Sequence, residues 1–360
     1  MKKLFFELNT PVDDGRPVFL TGSFCDWYPD VPDLQMQQTG PGKFALELPI
    51  EVPEGYTFEY KYTRGGWDHV ELNHTGEGIP NRFFPDQYTY QLDHVPHWRW
   101  FGQPFNPDFL PKLELLSETV EMPQLETTRR VQVLLPHDYD SSDKNYPVLY
   151  LHDGQNLFGA GVGFGSWAID QKMAILAHRH RHEVILVSID HGEEERLREF
   201  SPYKTQFGRG KGREYINFIV HTLKPQIDAQ YRTLTDPSHT GIGGSSMGGL
   251  ISIYAGLIYP SIFGRLMIFS PSLWVSPKIY FDAIRFHSPS LTKLYLYGGE
   301  KESTYMVPNM KRLQEALSRQ GYESQEQAPW FQVSIDPIGT HEEAHWSREF
   351  PKAVEWLFFK

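Results

Sequence analysis

The sequence predicts two architectures in tandem: a small all-β sandwich, then an α/β domain whose mostly parallel sheet carries helices on both faces. Residues 1 to about 95 hold short alternating runs such as 17–22, 43–48 and 56–63, punctuated by Gly, Pro and Asp. Alternation of that kind buries every second side chain between two sheets. After about residue 110 near-continuous apolar runs appear at 146–151 and 184–189, as expected of strands covered on both faces, and they alternate with helical stretches at 213–224 and 249–259. Length agrees, since 360 residues at ~100–200 per domain suit two domains.

In chain order, the sandwich occupies 1–95. Residues 96–109 read as a linker, because Pro96, Pro104 and Pro107 forbid a continuous helix or central strand. The α/β domain occupies 110–360, with further strands expected at 239–243, 265–269, 293–297 and 331–335. A formal charge of −11 disfavours nucleic acid and anionic membranes as partners, which draw on a basic face. The single cysteine, Cys25, allows neither an internal disulfide nor a cysteine-based zinc site. The opening Met1-Lys2-Lys3-Leu4-Phe5-Phe6 resembles an export signal, but Glu7 interrupts it, and no run of ~18 apolar residues follows. A cytoplasmic location is therefore expected.

Within Gly241–Gly249, Gly244-Ser245-Ser246-Met247-Gly248 fits G-x-S-x-G between a strand and an apolar helix. The serine of such a turn needs small residues two positions either side, where side chains would meet neighbouring backbone. Ser246 is the expected nucleophile, and the Met247 amide at the helix start is an expected oxyanion donor. A phosphate cradle is the competing use of a Gly-rich turn, but G-x-x-x-x-G-K-[ST] is absent.

In an α/β-hydrolase the acid and the base follow the serine in that order. His341 follows the expected strand 331–335 and is the expected base; His345, beside Trp346, reads as a packing or substrate-edge residue. The acid belongs after strand 293–297, where Glu300 and Glu302 both stand, with Glu302 preferred. His341-Glu342-Glu343-Ala344-His345 also matches the zinc pattern H-E-x-x-H, although the loop-like Gly339-Thr340 entry suits it poorly. No metal or cofactor is expected.

Four blocks resemble the putative-esterase family of α/β-hydrolases, which includes feruloyl, acetyl-xylan and enterobactin-type esterases and S-formylglutathione hydrolase. They are Tyr150-Leu151-His152-Asp153-Gly154-Gln155-Asn156-Leu157-Phe158, Gly244 to Gly249, Gly299-Glu300-Lys301-Glu302 and His341 to Trp346. The resemblance implies Ser246 as nucleophile, His341 as base and Glu302 as acid. It implies oxyanion donors at the Met247 and Gln155 amides, and a small acyl or carbohydrate-linked ester as substrate. The family usually has Asn after the histidine, where Glu342 stands here. Phe164 and Trp167, with the charged loop 193–203, are expected either to border the pocket or simply to pack.

The first 95 residues resemble starch- and glycogen-binding carbohydrate modules through Phe19 to Trp27, Phe58 to Tyr62, Trp67 to Glu71 and Pro80-Asn81-Arg82. Trp27, Lys61 and Asn81 match the family's glucan-binding positions. Leu72 stands where a second stacking Trp is common, and Trp67 is the alternative. An α-glucan partner is therefore expected alongside a module whose aromatics only pack. Two rival functions remain: a siderophore trilactone esterase, and a glucan-binding protein with an inactive hydrolase domain.

Overall fold

The computed structural model describes residues 2–11, 15–49, 52–53, 55–85, 87–159, 161, 165–180, 182–205, 208–286, 292–318 and 330–360. They form two compact units, Met1–Asp108 with His178–His180, and Phe109–Ala177 with Arg181–Lys360.

The first unit has the alternation its sequence predicts. Along Phe5–Asn9 exposed and buried residues alternate, and Phe6 and Leu8 join Leu20, Phe44, Tyr60, Tyr62 and Phe84 in one core. One sheet runs in the order Gln37–Gly40, Lys43–Glu47, Phe5–Asn9, Tyr90–His94; a second runs Phe19–Gly22, Phe58–Thr63, Arg82–Phe84. Arg82 crosses this interior, bonding Glu71 at 2.8 Å and Asp93 at 2.8 Å, while the Tyr60 and Tyr62 hydroxyls donate to the same Asp93. The unit extends past residue 95. His97–Trp98, expected in the linker, pairs with Glu71–Leu72, and Trp98 lies in the core with its indole N–H on Thr10 Oγ1 at 3.0 Å. A buried indole with a satisfied N–H outweighs the neighbouring Pro96, which only precludes pairing at its own nitrogen.

The second unit is an eight-stranded sheet in the order Lys112–Met122, Thr127–Leu135, Ile185–Ile189, Val148–His152, Thr240–Ser245, Arg265–Phe269, Lys293–Gly299, Trp330–Asp336. The pairings among the first three strands are antiparallel and all later ones are parallel. Alternate residues of Val148–His152 enter opposite cores. Val148 and Tyr150 pack on the side of helices Gly212–Phe218, Met247–Ile258 and Met306–Ser318, whereas Leu149 and Leu151 face Ile169–His180 and Glu343–Phe359. Two-sided burial explains the continuous apolar runs.

Two local features depart from the sequence pattern. The opening hairpin was not foreseen because its first strand is an edge, with Leu113 and Leu115 exposed and register breaks near Ser117. The expected helix 213–224 instead passes through a π-turn, Ile219–Leu223, and continues as Lys224–Gln230. Pro225 has no N–H for an i→i−4 bond, and the wider turn accommodates it.

Candidate active site

Ser246 sits at the junction between strand Thr240–Ser245 and helix Met247–Ile258, with φ 57° and ψ −118°. A non-glycine residue held there is strained, and backbone bonds fix it: its N–H donates to Phe269 O at 2.9 Å, and the Ser272 N–H donates to its carbonyl at 3.0 Å. The flanking glycines have steric reasons. A Cβ on Gly244 would lie 3.2 Å from Gly248 Cα, and one on Gly248 would lie 3.3 Å from Asp153 Oδ2 and His152 Cβ. The Ser246 hydroxyl is 3.1 Å from that of Ser272. Ser245, its neighbour in the sequence, ends the strand and is buried.

The last two strands of the sheet, Lys293–Gly299 and Trp330–Asp336, bring the expected acid and base together. Their following loops are stitched by Glu300 N–H to Asp336 O at 2.9 Å and Lys301 N–H to Gly339 O at 3.0 Å. Across this seam His341 Nδ1 meets Glu302 Oε2 at 2.6 Å. The Glu302 side chain is 2% exposed, and its other oxygen accepts from Gly299 N–H at 2.6 Å and Ser270 Oγ at 2.7 Å. The Trp346 indole donates to Ser270 Oγ at 2.8 Å and stands edge-on to the His341 ring. Glu300, the alternative acid, is exposed.

Ser246 and His341 line two cavities at once. One, of about 650 Å³, is walled by apolar and aromatic residues from Pro271 to Pro277, by Tyr280, and by Tyr305, Met306, Asn309 and Arg312. The other, of about 410 Å³, is the more polar of the two, with Asp153, Asn156, His191, Arg196 and Glu343 in its wall beside Leu157, Trp167 and Trp346. Arg196 grips Asp153 through two bonds of 2.5 and 2.8 Å. Burial raises the Glu343 carboxyl above its ordinary range. Burial also lowers His152, whose Nδ1 lies 2.9 Å from the Tyr215 hydroxyl, to about 4.

The remaining expected residues divide. Met247 heads its helix, so its N–H has no intrahelical acceptor. Gln155 lies in the turn Gly154–Asn156, which Asp153 enters in left-handed conformation; its side chain clamps the His191 backbone through bonds of 3.0 and 3.2 Å. Trp167 stacks on Phe269 within the core and also lines the polar cavity. His345 lines neither of these cavities and sits with Asp336 and Arg348. Phe164 lies outside the described residues. His341 precedes the helix that begins at Glu343, so the H-E-x-x-H histidines do not share one helical face. Arg196, in the charged loop 193–203 expected to border the pocket or pack, lines the second cavity; sequence reasoning missed Ser270, Ser272 and Arg312, whose convergence no local pattern encodes.

In the first unit Trp27 and Trp67 lie with ring centroids 6.3 Å apart, tilted by 45°, and Trp67 is exposed. Trp27 and Asp26 have φ of 62° and 52°, a strained turn held by Trp27 N–H to Gly22 O at 3.0 Å. Lys61 Nζ donates to Ile79 O at 2.6 Å, and Asn81 Nδ2 donates to Glu59 Oε2 at 2.8 Å. Leu72 is buried.

A strand-to-helix serine elbow on this sheet, followed in sequence by a paired carboxylate and histidine, defines an α/β-hydrolase. Residues 123–357 match the putative-esterase family, and the chain belongs to it; it is a carboxylic ester hydrolase. Over 247 residues, 64% of this chain and 93% of the relative, it is 28% identical to the uncharacterized protein YbbA of Bacillus subtilis strain 168. An α-amylase of Niallia circulans is 38% identical over 95 residues of the N-terminal region, 26% of this chain and 7% of that protein, which fits a carbohydrate-binding-like domain. The crystal structure of enterobactin esterase FES from Shigella flexneri in the presence of enterobactin aligns with a TM-score of 0.55 at 15% identity, covering 99% of this chain and 92% of that one. None of the helices in the described residues is long and apolar enough to cross a membrane.

Proposed function

We propose that Ser246, His341 and Glu302 hydrolyse a small acyl or carbohydrate-linked ester through an acyl-enzyme. The 2.6 Å contact between His341 and a buried, triply bonded Glu302 carries this reading, because it fixes the imidazole beside the cavities that Ser246 also lines. Glu302 accepts a hydrogen bond from Nδ1–H, which keeps that proton on Nδ1 and so presents Nε2 as the base. Ser246 Oγ then exchanges its Ser272 partner for Nε2, gives up its proton and bonds to the ester carbonyl carbon. The oxyanion forms toward the Met247 and Gln155 amides. Collapse breaks the bond to the alcohol oxygen, which takes the proton from His341, and water resolves the acyl-enzyme by the same path.

The test is labelling by a fluorophosphonate together with turnover of p-nitrophenyl acetate and methyl ferulate. Wild type should label at Ser246 and hydrolyse at least one ester; labelling elsewhere, or full activity in Ser246→Ala, would refute the assignment. Likeness to enterobactin esterase FES over nearly the whole chain favours a second reading, a siderophore trilactone esterase. A ferric catecholate trilactone in the same panel decides between them.

We also propose that the first unit binds α-glucan. The adjacent indoles of Trp27 and Trp67 on a strained turn support this, since the C–H face of glucose stacks on indole.

A further inference from the structure

The larger cavity has a direction. Its wall is built in part from one face of helix Met306–Ser318, where Met306, Asn309 and Arg312 recur at helical spacing. Glu302 and Ser303 open this wall beside His341, and Arg312 closes it, about 9 Å along the axis from Met306 at ~1.5 Å per residue. Besides Ser272 and Asn309 the rest of the lining is apolar or aromatic: Pro271, Leu273, Pro277, Tyr280 and, as exposed residues, Trp274 and Tyr305.

Charge in this cavity is one-sided. Glu302, its one carboxylate among the described residues, is consumed by His341, Gly299 and Ser270. Among the described residues Arg312 is its one Lys or Arg, and its guanidinium lies 4.4 Å from the centroid of the Tyr280 ring. Among the described residues no carboxylate forms an ion pair with it, although the whole chain carries a charge of −11. The ring packs against the guanidinium, and no carboxylate of the described residues takes its N–H groups, which suit a planar anion.

We propose that the substrate is an ester with one extended, apolar or aromatic half that ends in a carboxylate-like anion, bound by Arg312 at the far end of the helix face that lines the cavity. This rests on the hydrolase reading above and specifies the substrate of that same site. Arg312 is the specificity-determining residue, and the polar cavity is left for the other half of the ester.

Mono-p-nitrophenyl esters of α,ω-dicarboxylic acids, from four to twelve carbons, test the acyl side against their ω-carboxamides. Acetate esters of ω-hydroxy acids and of their amides test the alcohol side. In one arm, at the chain length that reaches the arginine, kcat/KM for the carboxylate should exceed that for the amide about tenfold at low salt, chiefly through KM. Salt at 0.5 M should shrink the ratio, and Arg312→Gln should reduce it to within twofold. No preference for charge in either arm, or an unchanged ratio in Arg312→Gln, would overturn the proposal. If no ester turns over, the hydrolase reading fails separately. Calorimetric binding of the same carboxylate and amide esters to Ser246→Ala and to the Ser246→Ala, Arg312→Gln double variant then reads the arginine without chemistry: a carboxylate preference abolished in the double variant supports it, and equal binding of both esters refutes it.

Discussion

At the scale of single residues, the proposed chemistry depends on three groups acting as a unit, so their removal should not be additive. Ser246→Ala and His341→Ala should each lower kcat by about 10⁴-fold or more, and the double variant should fall little further. Glu302→Gln should also lose activity, about 10³- to 10⁴-fold, because an amide N–H facing Nδ1 favours the wrong tautomer. Steady-state kinetics on an activated ester check all four variants, and a double variant far below either single one would contradict a concerted unit. His152 supplies a prediction of stability rather than rate. Burial holds its folded pKa at about 4 against 6.5 when unfolded, so between these values the unfolded chain binds a proton that the native one refuses. Stability therefore falls as pH drops through that window, by on the order of 3 kcal/mol in all. Urea unfolding at pH 7 and pH 4 should show this loss in wild type and a correspondingly smaller one in His152→Asn. Parallel losses in the two proteins would assign it to other groups.

At the scale of elements, the His341–Glu302 contact rests on a seam between two loops. A Cβ on Gly299 would lie 2.1 Å from Gly339 O, two residues before His341, and Gly299 N–H itself holds Glu302. Gly299→Ala should push the loops apart and lower kcat by about 10²-fold, since an ångström of misplacement is enough. Circular dichroism should keep the native spectrum, because the strand ends there; loss of fold would make the contact structural instead. This junction also shows what the sequence can and cannot convey. The serine elbow was legible because its glycines answer local sterics, and His341 because a loop after the last strand is a definable place. The seam that delivers Glu302 to it joins residues about forty positions apart. Ser270, bonded to Glu302 at 2.7 Å, comes from a third strand end, and no spacing rule could have chosen it. The edge hairpin 112–135 escaped for the opposite reason: one face meets solvent, so no clean period survives.

At the scale of the whole molecule, an ester hydrolase carries a β-sandwich whose core needs none of the residues proposed to bind sugar. Trp67 is exposed and Trp27 half-buried, while the core is closed by Phe6, Tyr60, Tyr62, Phe84 and Trp98. Sugar binding and stability should therefore separate. Trp27→Ala and Trp67→Ala should each weaken maltoheptaose binding by about tenfold or more, the loss of roughly 1–2 kcal/mol of ring stacking, with little change in melting temperature. Asp93→Ala should do the reverse. It strips the half-buried Arg82 of one partner and leaves two buried tyrosine hydroxyls without that acceptor, which destabilises the unit by about 2–4 kcal/mol. Because glucan is neutral, affinity should be nearly independent of salt, unlike the carboxylate preference expected of Arg312. Calorimetric titration of maltoheptaose at 0.05 and 0.5 M salt tests both points. Absence of binding in wild type, or variants that melt early while binding normally, would make the indole pair a packing feature and leave ester hydrolysis as the molecule's one recognition event.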